Sequence, residues 1–319
     1  MPPAPPGPEL VQRFRRDLAV VASGQGRIGI ALSGGPDSLA LLLLAVAAFP
    51  GDVAAATVDH RLRPESAAEA AAAAAACHRL GVPHQILAVT LPRGGSVQAR
   101  ARAARYAALT SWATAEGIAM LLTGHHADDQ AETLMMRLLR GSGVAGLAGI
   151  RPHIALSESL MLCRPLLGWR RAELAAIVAA AGLQPVADPS NSDERFDRAR
   201  MRRQLADTAW IDPVALARSA AALAEADDAL EILAHDLAAE RLATGDGWAQ
   251  LRPDGVPPAL LRRLVARGLR HVAPDAAPRG DQLGSLIEQL RTGATVTLAG
   301  VLCSGGESWR FQPEPPRRG

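Results

Sequence analysis

The chain has no lysine, so every basic side chain other than histidine is arginine. No catalytic step can use a lysine of this chain, and the phosphate loop of the GxxxxGK(S/T) type cannot be completed. Asparagine occurs once, at Asn191, and aromatic residues make up only 3% of the sequence. Alanine, glycine, proline and arginine are abundant in their place, a pattern that reads as mutational bias toward GC-rich codons. The three cysteines, Cys77, Cys163 and Cys303, are far apart and form no C-x-x-C pair. That spacing argues against a zinc knuckle, an iron–sulfur site or a disulfide framework. Long hydrophobic runs are missing too. "LALLLLAVAAF" is too short and too closely flanked by polar residues to span a bilayer. The start, "MPPAPPGPEL", has no apolar core of a signal peptide and reads as a frayed tail. A cytoplasmic protein without a membrane partner is the expectation.

What is present is an ordinary globular composition, 49% hydrophobic and 21% charged, over 319 residues. That length accommodates two domains and a good-sized core. The formal charge of +2 leaves nucleic-acid binding to local clusters rather than to an overall polycation.

Short apolar runs alternate with helical stretches through the first half. "RIGIAL" (27–32), "VAAATV" (53–58), "HQILAV" (84–89) and "AMLLTG" (119–124) read as strands. Helices are expected from about Asp37, after Pro64, near 97–116 and near 128–139. The alternation predicts an α/β fold, a parallel five-stranded sheet with helices on both faces. Its strands are nearly all apolar, as strands buried on both faces should be. After Gly141 the pattern loosens into a glycine-rich loop, a helix over 169–182 and a charged stretch. A long helical run from about Asp212 opens a smaller, mostly helical region. It has a short strand at Trp248–Leu251, helices near 257–270 and 280–291, and a β-like ending. The expected organisation is an N-terminal extension over 1–24, disordered or helical, an α/β domain over 25–206 and a second domain over 212–319.

Between the first strand and the first helix of this pattern stands Ser33-Gly34-Gly35-Pro36-Asp37-Ser38. A loop at the carboxyl end of a parallel strand is where such sheets bind ligands. Small residues let the backbone approach closely, and the following helix offers free N–H groups and a positive dipole end. Ser33 and Ser38 add hydroxyls. Together these make a phosphate cradle.

S-G-G-x-D-S after a buried strand resembles the PP-loop of the N-type ATP pyrophosphatases, which cut ATP between its α and β phosphates. Further segments narrow the resemblance: "TVDHRLRPES", "ARAARYAAL", "TGHHADDQAETLMMRLLRGSGVAGLAG", "CRPLL" and "DPSNSDERFDRARMRRQL". In this order, across about residues 25–206, they resemble the tRNA(Ile)-lysidine synthetase family. The resemblance implies ATP with Mg²⁺, free L-lysine and an isoleucine tRNA with a CAU anticodon. It also implies the reaction: ATP adenylates O2 of the wobble cytidine, lysine attacks C2, and AMP leaves.

The resemblance further implies that residues 33–38 hold pyrophosphate and that Asp37 places Mg²⁺ or the incoming amine. Asp59 and His60 end the second strand, where their backbone would face adenine; a plain strand-end turn is the alternative. Arg105 would face the ATP phosphates; a solvated helix face is the alternative. Asp129 and Glu132, three apart, share one helix face, and Asp128 beside them suits a helix cap. Near a cradle, such carboxylates can ligate Mg²⁺ (Asp37 with Asp129) or hold a lysine ammonium. His125 and His126 are adjacent rather than four apart, which disfavours zinc; a histidine here, His126 in particular, could polarise the base or accept a proton. "RGSGVAGLAG" reads as linker or as a flap over RNA and ATP. Among Arg195, Arg198, Arg200, Arg202 and Arg203, Arg198 is expected at the active site and the others toward the tRNA backbone. Ala199 stands where the family usually has asparagine. The resemblance implies that the region over 212–319 is a helical tRNA-binding domain, and Arg262, Arg263, Arg267 and Arg270 form a basic cluster in it. The rival readings are a sister PP-loop enzyme that thiolates cytidine, and a non-catalytic nucleotide- or RNA-binding module.

Overall fold

The structure is a computed structural model that describes residues 3–21, 26–61, 64–90, 97–186 and 197–315. The chain divides into two compact units. One comprises Met1–Arg140 with Gly149–Ala221, the other Gly141–Ala148 with Ala222–Gly319.

The first unit is built on β1 (Ile28–Ala31), β2 (Val53–Asp59), β3 (His84–Ala88), β4 (Met120–Leu122), β5 (His153–Ser157) and β6 (Leu160–Cys163). Their order is β3-β2-β1-β4-β6-β5. The first five in that order are mutually parallel, and β5 adds an antiparallel edge through a hairpin with β6. The expected five parallel strands are therefore present, with a sixth at the edge. Central β1 is buried along its whole length. Edge strand β3 is half-exposed, and its His84 Nε2 meets Thr57 Oγ1 at 2.9 Å.

Helix α1 (Pro8–Val21) buries Phe14 and Leu18. The proline-rich start is thus helical from Pro8 onward rather than frayed throughout. Proline at the first turn is compatible with this, because its missing N–H would have had no helical partner. Asp17 of α1 accepts from Trp169 Nε1 at 2.7 Å, and Arg13 stacks 4.0 Å over the same ring. Helix α2 (Pro36–Ala48) is buried on almost every side, with Leu39 and Leu41 through Leu44 in the core. Each such leucine contributes about 2 kcal/mol of burial free energy. Helix α3 (Ser66–Arg79) buries Ala70, Ala73, Ala76 and Cys77, and α4 is Val97–Ala115. Helix α5 (Ala127–Leu138) follows β4, a one-turn α6 (Val144–Leu147) lies within the glycine-rich segment, and α7 (Arg171–Ala180) packs on α2. Helix α8 (Asp197–Ala206) packs on α5.

Helix α9 (Pro213–Arg241) runs through the division between the units. In the second unit, α10 (Pro258–Val272) and α11 (Gly280–Arg291) accompany a five-stranded antiparallel sheet. The sheet comprises β7 (Leu242–Gly245), β8 (Trp248–Leu251), β9 (Thr295–Leu298), β10 (Val301–Ser304) and β11 (Trp309–Pro313), in the order β7-β8-β11-β10-β9. Trp309, Phe311, Leu264, Leu269 and Leu290 fill its core. The β part is thus larger than the single short strand and β-like ending expected. Among the described residues no helix is long and apolar enough to cross a membrane.

Candidate active site

The cradle is a tight turn held by its own hydroxyls. Ser38 Oγ donates to Gly35 O at 3.0 Å and accepts from Ser33 N at 3.2 Å and Ser33 Oγ at 3.1 Å. Gly35 is the extended N-cap of α2 and Pro36 is its first residue. The first-turn N–H groups of such a helix lack helical acceptors and carry the positive end of its dipole. Gly34 has φ +79°, and a Cβ there would lie 3.1 Å from Val186 Cγ2. A side chain at that position would be both strained and crowded.

The loops after β1 and β4 touch. A Cβ on Gly124 would sit 2.9 Å from the backbone oxygen of Asp37, so only glycine lets the two loops close. This approach carries His125, His126 and the first turn of α5 to the cradle. His126 is the N-cap of α5: its Nδ1 accepts from Asp129 N at 3.3 Å, and Asp129 Oδ2 accepts from His126 N at 3.2 Å. That geometry puts the ring hydrogen on Nε2, which lies 3.5 Å from both Asp37 Oδ2 and Asp129 Oδ2. Histidine, rather than Asp128, therefore caps the helix. Asp128 instead accepts from Arg171 N at 2.8 Å and from the guanidinium of Arg170, tying α5 to the start of α7.

The His126 side chain is only 2% exposed. Burial alone would lower its pKa, but the hydrogen bond to Asp37 and the charges of Asp129, Asp37 and Asp128 raise it above the ordinary value. Charging the ring puts a second hydrogen on Nδ1, which then gives up the cap and faces Asp128 Oδ2 at 3.6 Å. The net stabilisation by the charged ring is fully present below the ordinary histidine pKa of about 6.5 and is lost as pH rises through the raised value. His126→Asn keeps a capping acceptor but cannot titrate. In urea unfolding between about pH 6 and 9, the stability gap between the two proteins is expected to be widest at the acid end and to shrink upward. A gap independent of pH would contradict this coupling. His125 behaves oppositely. Burial, helped by Arg164, Arg105 and Arg198 and resisted by Asp129, lowers it to about 4, so it is neutral at pH 7. Its Nδ1 lies 3.0 Å from Thr123 Oγ1.

Glu132 lies one turn into α5, with its side chain 2% exposed. Arg198 and Arg202 of α8 close on it. Arg198 bridges Glu132 Oε2 (2.7 Å) and Asp129 Oδ1 (2.8 Å), and Arg202 Nε reaches Glu132 Oε1 at 2.6 Å. The structure thus brings Asp37, His126, Asp129, Glu132 and Arg198 into one cluster. It corrects the expectation for Arg202, which faces Glu132 because that buried carboxylate requires cations. Arg200 pairs with Asp197, and Arg195 and Asn191 lie outside the described residues.

Asp37 Oδ1 is the exception in this cluster: it is buried and has no hydrogen-bond partner among the described residues. A buried, unsatisfied carboxylate oxygen is costly without a cation or donor. Among the described residues no three His, Cys, Asp or Glu side chains converge as a metal cage. A hard cation at Asp37 would take further oxygens from phosphate groups and water, as Mg²⁺ does.

The cationic side of the site comes from α4 and the end of β6. Arg105 is half-buried, its desolvation disfavours its charge, and it helps push the His60 pKa down after burial itself. Arg164, which directly follows β6, is buried and donates to Arg151 O at 2.6 Å; its Nε has no partner among the described residues. The "CRPLL" segment contained this residue, but nothing in the segment distinguished it from a surface arginine. Asp59 makes the plain turn: its Oδ1 accepts from Arg61 N at 2.9 Å, where Arg61 adopts φ +51°. That bond, with one from Ser66, holds its carboxyl below the usual range.

In the second unit the basic cluster divides. Arg263 pairs with buried Asp227 and with Glu231 (3.1 Å), and Arg267 pairs with Glu231 at 3.0 Å. These two are neutralised internally, leaving Arg262 and Arg270 exposed.

The description "PP-loop domain" matches residues 9–209. The chain is 46% identical to a tRNA(Ile)-lysidine synthase of Novosphingobium aromaticivorans, covering 96% of this chain and 94% of that protein. It is 45% identical to the tRNA(Ile)-lysidine synthase of Zymomonas mobilis, over 92% and 90% of the two chains. In fold it resembles a U34-tRNA thiolase from Methanococcus maripaludis, with TM-score 0.58 and 18% identity over 68% of this chain and 78% of that one. With the cradle, the capped α5 and sequence identity sustained along nearly the whole length, the chain belongs to the tRNA(Ile)-lysidine synthase family of PP-loop proteins.

Proposed function

We propose that the chain joins free lysine to C2 of the wobble cytidine in an isoleucine tRNA with a CAU anticodon. The observation that carries this reading is the unsatisfied Oδ1 of Asp37, at the helix end of a phosphate cradle and one histidine away from the carboxylates of α5. Residues 33–38 would hold the phosphates of ATP through N–H groups and hydroxyls. O2 of cytidine attacks the α phosphorus, the α–β P–O bond breaks, and pyrophosphate leaves. Arg105, half-buried and cationic, suits the charge that develops on the phosphates. Mg²⁺, when bound, would neutralise phosphate oxygens; Asp37 fits it first, and Asp129 fits it once Arg198 releases Oδ1. An amine of lysine then attacks C2, and AMP departs with O2. Asp129 and Glu132 would receive the ammonium, and His126 Nε2 stands between Asp37 and Asp129 where a proton can be held or passed on.

With labelled ATP, the nucleotide product is expected to be AMP and to depend on both tRNA and lysine. ADP as the main product would end this reading. Cytidine thiolation lacks an equivalent observation here. The three cysteines are buried, and burial pushes Cys77 and Cys303 up to about 12 and Cys163 to about 11, far from a reactive thiolate.

The second unit is proposed to grip tRNA through Arg262 and Arg270. Reversing both charges should weaken tRNA binding most at low salt and reduce the slope of log affinity against log salt by up to about two. ATP binding should be unchanged. An unchanged salt slope would place the RNA contact elsewhere.

A further inference from the structure

Two arginines reach one buried carboxylate, and they do so differently. Arg202 forks onto both oxygens of Glu132, Nε to Oε1 at 2.6 Å and Nη2 to Oε2 at 3.3 Å. Arg198 straddles two residues, Nε to Glu132 Oε2 at 2.7 Å and Nη2 to Asp129 Oδ1 at 2.8 Å. The Arg202 side chain is 26% exposed and that of Arg198 is 45% exposed. They stand four residues apart on α8 and so share a face.

We propose that Arg202 is the positioning residue that fixes Glu132, leaving Arg198 free to exchange its carboxylate partners for substrate. This rests on the reading above, in which Asp129 and Glu132 receive the lysine ammonium. For a second cation to arrive, a resident cation must leave at least one carboxylate. The more exposed guanidinium, shared between two acids, is the one that can leave. Were it the only partner of Glu132, its departure would strand a buried charge, which costs several kcal/mol. Arg202 prevents that and holds both oxygens in place. The charge on Arg202 is itself reinforced: burial opposes it, but the bond to Glu132 and the charges of Glu132, Asp129 and Asp37 outweigh burial.

The test is steady-state kinetics of lysine transfer by the full chain and its Arg202→Met, Arg202→Lys and Glu132→Gln variants, plus the Glu132→Gln/Arg202→Met double variant. Arg202→Met is expected to raise KM for lysine about tenfold or more while KM for ATP stays within about twofold. Arg202→Lys, which keeps the charge but cannot fork onto both oxygens, should recover only part of the loss. In the Glu132→Gln background, Arg202→Met should add less than about a twofold effect, because the two residues act as one unit. The proposal is overturned by an unchanged lysine KM, by equal rises for lysine and ATP, or by additive effects in the double variant. Should Arg202→Met fold poorly, Arg202→Gln provides the same comparison. An unaltered chain that transfers no lysine would overturn the functional reading and this one together; an active chain indifferent to Arg202 would overturn this one alone.

Discussion

Asp37→Asn is expected to lower AMP formation by about 100-fold or more, the scale of losing one electrostatic contact to a transition state. The variant keeps the shape of the side chain and removes its charge. Oδ2 faces His126 at 3.5 Å and helps hold its ring charged, whereas Oδ1 faces no partner among the described residues. The variant gives up the first contact and relieves the second oxygen, so the change in thermal stability should be small beside the fall in catalysis. Activity within about threefold of the unaltered chain would mean that the free oxygen serves no reacting group.

The second large effect is expected at the α5 carboxylates. Asp129→Ala and Glu132→Ala should each impair lysidine formation, and at least one should raise the lysine requirement while adenylate formation on tRNA persists. Glu132→Ala also leaves Arg198 and Arg202 without their shared acceptor. Breaking a buried ion pair costs about 3 kcal/mol, toward the low end here because both arginines are partly exposed and can rehydrate. Asp129→Ala should be milder in stability, since Arg198, the helix cap and the His126 ring each lose one contact while Glu132 keeps both arginines. Loss of ATP binding in both variants with lysine dependence unchanged would assign these carboxylates to Mg²⁺ alone.

The sheet was legible in the sequence because parallel strands buried on both faces are short, apolar and separated by helical stretches. β1 through β4 fall within a residue or two of their expected positions. The β5–β6 hairpin escaped notice for the opposite reason: His153–Ser157 alternates exposed and half-buried residues over only five positions, just after a glycine-rich segment. The cradle was legible because its chemistry lies in consecutive residues. Side-chain partners across helices were not. Asp128 looked like the cap, yet its acceptors are used by Arg170 and Arg171, some forty residues on. Arg202 and Arg203 are neighbours of one type, and only the packing of α8 on α5 turns the first toward Glu132 and leaves the second exposed. The same holds for Arg263, which the sequence grouped with Arg262 but which α9 neutralises through Asp227.

On the proposed function, one cradle and one carboxylate cluster join ATP cleavage to lysine transfer. This coupling is tested most directly by incubating the full chain with ATP, Mg²⁺, radiolabelled lysine and a transcript of the isoleucine tRNA bearing CAU, alongside the same transcript with the wobble cytidine changed to uridine. The expected result is label in the first transcript only, one lysine per tRNA, with one AMP released for each. Label in both transcripts, or AMP released without lysine in the tRNA, would contradict the account.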